Sequence, residues 1–191
     1  MGRLLIDDFN TGTTDLLERQ AIGTPQFIQS GSGIVRSPGS AEGHRRITLY
    51  VTSNFPNHKL MASVRNGLWV SGGYKVSTRV DLDYGLNRSG DILSLKLNAA
   101  AYKNVQIDFD GSDKVINFAI QFHSGGGYSQ YSYNIPASES PFSKIVPLSE
   151  FPAPSLPTVF SWKSIDRIAV IFQHTGPTLG NDFGVRRIFL E

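Results

Sequence analysis

Ser164–Gln173 reads SIDRIAVIFQ and, after a turn rich in Gly, Pro and Asn, Phe183–Leu190 reads FGVRRIFL. The chain opens on another run of the same kind, Leu4–Phe9 (LLIDDF). Extended segments at both ends, with many short strands between them, are what a closed β-sandwich needs. Its outer strands must be paired or covered, and strands from the two ends supply that cover.

The stretches in between alternate with period two. Arg46–Thr52 sets Ile47, Leu49 and Val51 against Thr48, Tyr50 and Thr52. Lys75–Leu82 sets Val76, Thr78, Val80 and Leu82 against Lys75, Ser77, Arg79 and Asp81. Asp91–Leu97 repeats the pattern with Leu93, Leu95 and Leu97. Successive side chains of a strand point to opposite faces, so each run reads as a half-buried antiparallel strand. Gly/Pro/Asn clusters punctuate the runs. Asn66-Gly67 predicts a hairpin between Leu60–Val64 and Leu68–Val70, because both residues tolerate positive φ. Asp110-Gly111 predicts another, joining Val105–Phe109 to Val115–Phe122, and Gly125-Gly126-Gly127 marks a further turn. Helix is confined to a turn or two, one of them near Phe160–Ile165. The proline-rich Ala137–Pro157 reads as a surface connection with a short strand near Ser143–Val146.

The 191 residues suit a single domain, residues 1–191, and a chain of this length can bury about 70 % of its unfolded surface. With no Cys, disulfides, thiolate metal sites and a Cys nucleophile are excluded. A net charge of +2 gives no electrostatic case for a nucleic-acid partner. His44-Arg45-Arg46 and Arg186-Arg187 read as a solvated strand face. No window reaches the ~20 apolar residues of a membrane helix, so no membrane insertion is expected. Met1-Gly2-Arg3 leads straight into a strand with no signal peptide.

Sugar recognition pairs an aromatic ring, on which the apolar sugar face stacks, with amides, acids and Arg that take the hydroxyls. Tyr128, Tyr131 and Tyr133, preceded by His123 and the Gly run, form the best such stretch. Trp69 and Tyr74, with Tyr84, form a second set near Gly-Gly turns. The alternating Tyr also suit an ordinary half-solvated strand. Asp108, Asp110 and Asp113 space three carboxylates as part of a hard-cation loop does, or as a solvated hairpin turn does. Trp162 belongs at the edge of the core. The four His are scattered without a zinc pair, no G-x-S-x-G elbow appears, and the Gly run lacks the sequel of a phosphate loop.

Asp7-Asp8-Phe9, Val105–Asp113 (VQIDFDGSD), Phe160–Phe172 (FSWKSIDRIAVIF) and Asp182–Leu190 (DFGVRRIFL) together resemble galactose-binding-like and carbohydrate-binding modules of jelly-roll fold. More narrowly they look like secreted, often cyanobacterial, proteins that carry a PEP-CTERM sorting tail. The resemblance implies an all-β, single antiparallel β-sandwich of jelly-roll type. It also implies a structural Ca²⁺ bridging first and last strands, for which Asp7 or Asp8 with Asp182, and Glu42, are the candidate acids of this sequence, the same Asp side chains suiting turn hydrogen bonds equally. Arg186 departs from the pattern, standing where a second acid is expected. The function implied is a non-catalytic, secreted or cell-surface module that binds glycan or exopolysaccharide. The alternatives are a cofactor-free or calcium-dependent cyclase or isomerase, with Asp81 or Asp83 as a lone acid in an enclosed cavity, and a structural surface protein.

Overall fold

The computed structural model describes residues 2–19, 22–54, 58–174 and 180–191. Two antiparallel sheets face each other. Seven strands form the first sheet: β1 (Leu4–Asp7), β2 (Thr14–Arg19), β5 (Leu60–Val64), β6 (Leu68–Gly72), β8 (Asn104–Ser112), β11 (Phe142–Pro147) and β13 (Asn181–Leu190). Their order is β11-β8-β13-β6-β5-β2, with β1 also on β13. The second sheet has six strands: β3 (Gln26–Gly31), β4 (Gly43–Asn54), β7 (Val76–Tyr84), β9 (Ile116–Ser124), β10 (Gly127–Ile135) and β12 (Arg167–His174). They run in the order β10-β9-β12-β7-β4-β3.

The two runs that decide the fold become interior strands, β12 of one sheet and β13 of the other. β13 carries β8 along one side. Its other side is shared by β6 over Asn181–Val185 and by β1 over Ile188–Leu190. First and last strands therefore pair, as the terminal runs require. Period-two apolar residues of both sheets meet in one core. Ile47, Leu49, Val80, Leu82, Ile120, Val170 and Phe172 come from one side, and Leu60, Val64, Leu68, Ile107, Phe109, Val185 and Ile188 from the other. Phe172 touches Phe109 edge-on at 6.1 Å and Phe183 at 5.1 Å, across the layer between the sheets. Trp162 packs at the core edge against Phe122, Phe151 and Phe160.

The Asn66-Gly67 hairpin forms, with φ of +53° and +151°, between β5 and β6. Gly125 and Gly126, at +57° and +85°, turn β9 into β10. Two other expectations fail. Asp110-Gly111 is no hairpin turn: it lies inside β8, where the register with β13 shifts, and residues 113–115 carry the chain from one sheet to the other. Asp91–Leu97 is no strand. Lys96 has φ +46°, and the segment makes only the single bridges Leu86↔Ile92 and Leu97↔Ile165. Its alternation serves to drop Leu95 into the core at the end of the sandwich.

Arg45, read as part of a solvated face, is fully buried. Its Nη1 donates to both oxygens of Asp7 at 2.7 and 2.6 Å, and Nε and Nη2 donate to Gln29 Oε1. Nη2 also reaches the carbonyls of Thr11 and Gly12. Every guanidinium nitrogen is thus engaged, which is the condition for burying such a charge.

Candidate functional site

The outer face of the six-stranded sheet is built by cross-strand register. One row runs Gln130–Gln121–Ala169–Asp83–Arg46 across β10, β9, β12, β7 and β4. The next runs Ser132–Ala119–Ile171–Asp81–Thr48, and a third runs Asn134–Asn117–Gln173–Arg79–Tyr50. Small side chains, Ala119 and Ala169, sit in the middle with Ile171, and amides and charges stand on both sides. The result is a trough. A cleft of about 380 Å³ along it is lined by Asn117, Gln121, Gln130, Ser132, Gln173 and Arg79 among others.

The charges of this face are matched in pairs. Asp81 accepts from Arg79 Nε and Nη2 at 2.7 and 2.6 Å, the bidentate geometry that fixes a carboxylate's orientation. Burial pushes the Asp81 carboxyl upward against the pull of Arg79. Asp83 accepts from Arg46 Nη2 at 2.8 Å and lies 3.5 Å from Arg167 Nε. Arg167 Nε is buried and makes no hydrogen bond. On the same guanidinium, Nη2 lies 3.2 Å from His123 Nε2. Burial, followed by the Arg167 charge, lowers the His123 pKa to about 4, so the imidazole is neutral near pH 7. Arg167 can only donate, so His123 Nε2 accepts from it and the ring proton sits on Nδ1. Gln121 Oε1, 3.0 Å from the same nitrogen, would need the other tautomer. Gln121 in turn donates to Gln130 Oε1 at 2.6 Å.

The aromatic candidates separate. His123 and Tyr128 pair across β9 and β10 at the end of the trough, with ring centroids 5.5 Å apart, and Tyr128 is exposed. Tyr131 and Tyr133 share one face of β10, opposite Gln130 and Ser132, but only Tyr131 is half-buried against the core, whereas Tyr133 stays exposed and borders the cleft. Tyr131 packs on Phe151 at 5.7 Å, and Lys144 Nζ sits 3.5 Å over the Tyr133 ring. Trp69 is exposed on the outer face of the other sheet. Tyr74, also exposed, lies beside His58 and Lys75 at the β6–β7 connection. Tyr84 is buried, donating from its hydroxyl to Asp7.

The acids proposed for Ca²⁺ do not converge. Asp7 is paired with Ile188 of β13, whereas Asp182 lies six residues earlier on that strand, about 20 Å away at ~3.3 Å per residue. The Asp7 carboxylate is occupied by Arg45, Tyr84 and the Phe9 amide, and Asp8 caps the Asn10 amide. Asp108 pairs with Arg187, Asp110 with Arg186, and Asp113 Oδ1 accepts from the Asp182 amide. Among the described residues no three His, Asp or Glu side chains gather as a metal requires. Nor does any helix of the described residues have the length and apolarity to cross a membrane.

The trough residues Gln121, Gln130, Arg79, Arg46 and Arg167 were not singled out from sequence. The amide alternation in INFAIQFHS and GYSQYSYNI was the available signal, but a lone strand does not say which of its faces looks outward.

No protein-family model and no curated protein matches the chain. Among solved structures, the family 11 carbohydrate-binding module of Clostridium thermocellum, in complex with a beta-1,3-1,4-mixed-linked tetrasaccharide, is similar. It is 16 % identical over 99 % of this chain and 95 % of that one, with a TM-score of 0.45. A carbohydrate-binding module specific for non-crystalline cellulose, CBM28, is 15 % identical over 74 % of this chain and 80 % of that one, with a TM-score of 0.44. The enzymatically active domain of bacteriophage CBA120 tailspike protein 4 is 11 % identical over 96 % of this chain and 20 % of that one, with a TM-score of 0.40. Likeness at this level assigns neither a family nor a ligand.

Proposed function

We propose that the protein is a glycan-binding module that lays a neutral oligosaccharide along the outer face of the β10–β3 sheet. One observation carries the reading: a trough with an apolar floor (Ala119, Ala169, Ile171) and rims of neutral amides and Arg-fixed carboxylates, next to an imidazole held neutral. A hydroxyl-rich, uncharged ligand needs many donors and acceptors held in place and little net charge, and this face offers both. The three Arg and two Asp nearly cancel, which disfavours a polyanion. Six strands at ~4.8 Å spacing give the face a breadth of about 24 Å, enough for several sugar units. Tyr128 offers a stacking ring at one end. Such a module serves where polysaccharide is presented, outside the cell or at its surface.

Binding, rather than chemistry, is the role that fits the two carboxylates. Asp81 is held by Arg79 and Asp83 by Arg46, which fixes both carboxylates as oriented hydrogen-bond acceptors for hydroxyls. Calorimetric titration with soluble neutral hexose oligosaccharides tests the proposal. The wild type should bind, and Gln121→Ala/Gln130→Ala should bind about tenfold more weakly, as expected for two or more lost hydrogen bonds at about 0.5–1.5 kcal/mol each. Undiminished binding by the double variant would overturn the assignment to this face.

A further inference from the structure

The opposite broad face carries a second arrangement that the trough does not use. Trp69 on β6 pairs with Ser63 of β5 on one side and Gly184 of β13 on the other. A Cβ on Gly184 would lie 2.7 Å from Trp69 Cζ3 and 2.9 Å from Cε3, and one on Gly67 would lie 3.1 Å from Nε1. The indole therefore lies across the sheet on bare glycine backbone at both ends of the ring system. Gly weakens a strand interior, and its use there marks a close approach of another group. Here that group is the ring, which remains 45 % exposed. The neighbouring row holds Met61, Ser71 and Asp182. Asp182 gives its backbone amide to Asp113 Oδ1 while the residue lines the cleft. Asp110, tied to Arg186, closes the far side. The cleft measures about 410 Å³.

We infer that this face is a second glycan-binding site, independent of the trough, in which a pyranose ring stacks on Trp69 and its hydroxyls meet Asp182, Ser63 and Ser71. A single flat ring, lying in the plane of the sheet with one side open, suits the flat apolar face of a sugar. A cage for a cation would need rings standing at angles to one another. With one site on each broad face, a single molecule bridges two glycan chains, and a multivalent polysaccharide is held by avidity.

The test is titration with neutral hexose oligosaccharides, read by tryptophan fluorescence and by calorimetric stoichiometry. Trp162 is packed into the core edge, so ligand-induced emission changes report on Trp69. The account predicts an emission change on binding in both the wild type and the Gln121→Ala/Gln130→Ala trough variant. Trp69→Ala should remove that signal, weaken binding at this site about tenfold or more, and lower the stoichiometry by one. Gly184→Ala keeps the indole but pushes it off its seat, and should act in the same direction. Far-UV circular dichroism melts check that both variants fold. Unchanged stoichiometry and a silent Trp69 would overturn the inference while leaving the trough untouched. Loss of all binding in the trough variant would also overturn it. A Trp69 response to tetramethylammonium and none to sugars would overturn it in favour of a cation site. If only Trp69→Ala abolishes binding, the second site stands and the trough proposal falls.

Discussion

At the scale of single residues, the most consequential group is the buried Arg45–Asp7 pair with the Tyr84 hydroxyl. It joins β1, β4 and β7, and through Gln29 it reaches β3. Burial pushes the Asp7 carboxyl upward and the Arg45 contacts oppose that push. Removing one partner strands the other charge in the core. Arg45→Met or Asp7→Asn alone should therefore cost about 3–5 kcal/mol in chemical denaturation, and Arg45→Met with Asp7→Leu should cost less than the sum of the single changes. Additive losses would mean that the two groups act separately. His123 gives a pH signature. Its folded pKa, about 4, lies below the ordinary 6.5. Between those values the unfolded chain binds more protons, so stability falls as pH drops from about 6.5 to about 4. His123→Gln should flatten that part of the profile; an unchanged slope would show that another group sets it. His123 was legible as a candidate, but the Arg45–Asp7 pair was not. LLIDDF and HRR show charges, but only the fold shows that Asp7 and Arg45 meet, and a polar residue in an alternating run is ordinarily assigned to the wet face.

At the scale of elements, what could be read were the strands whose alternation is regular and whose turns need positive φ. β12 and β13 were legible because long apolar runs have few other places to go than the interior of a sheet. Phe172→Ala, at the meeting point of both layers, should cost about 3–5 kcal/mol. The turn between β9 and β10 gives a graded test. Gly126, at φ +85° in open space, should lose about 1–2 kcal/mol on substitution by Ala, the usual left-handed cost. Gly85→Ala should lose more, because a Cβ there would also lie 2.4 Å from the Asp166 carbonyl oxygen. Equal losses in thermal or urea melts would contradict the close approach. The expected Asp110-Gly111 hairpin failed because Asp-Gly suits a register shift inside a strand as well as a turn, and the choice depends on which sheet the next strand joins. Asp91–Leu97 failed because alternation alone does not supply a partner strand. The 165–166 segment offers it a single isolated bridge, Leu97↔Ile165.

At the scale of the whole molecule, two sheets share one core and turn two chemically different faces outward, one a polar trough and one a tryptophan platform. The sandwich followed from the order of the runs and their turn residues. The faces did not, because a binding surface spread over five strands is a property of register, and register joins residues far apart in sequence. Trp69 was legible as a candidate but its seat on Gly184 was not. Tyr131 and Tyr133 were legible as a pair, but not that Tyr131 packs on Phe151 while Tyr133 stays exposed. The most direct test of the trough is a two-dimensional amide-resonance titration with a soluble neutral hexose oligosaccharide. The account predicts concerted, saturable shifts of amides in β7, β9, β10 and β12, centred on Gln121, Ala169 and Gln130. Amides on those four strands that stay unmoved at saturation would contradict it.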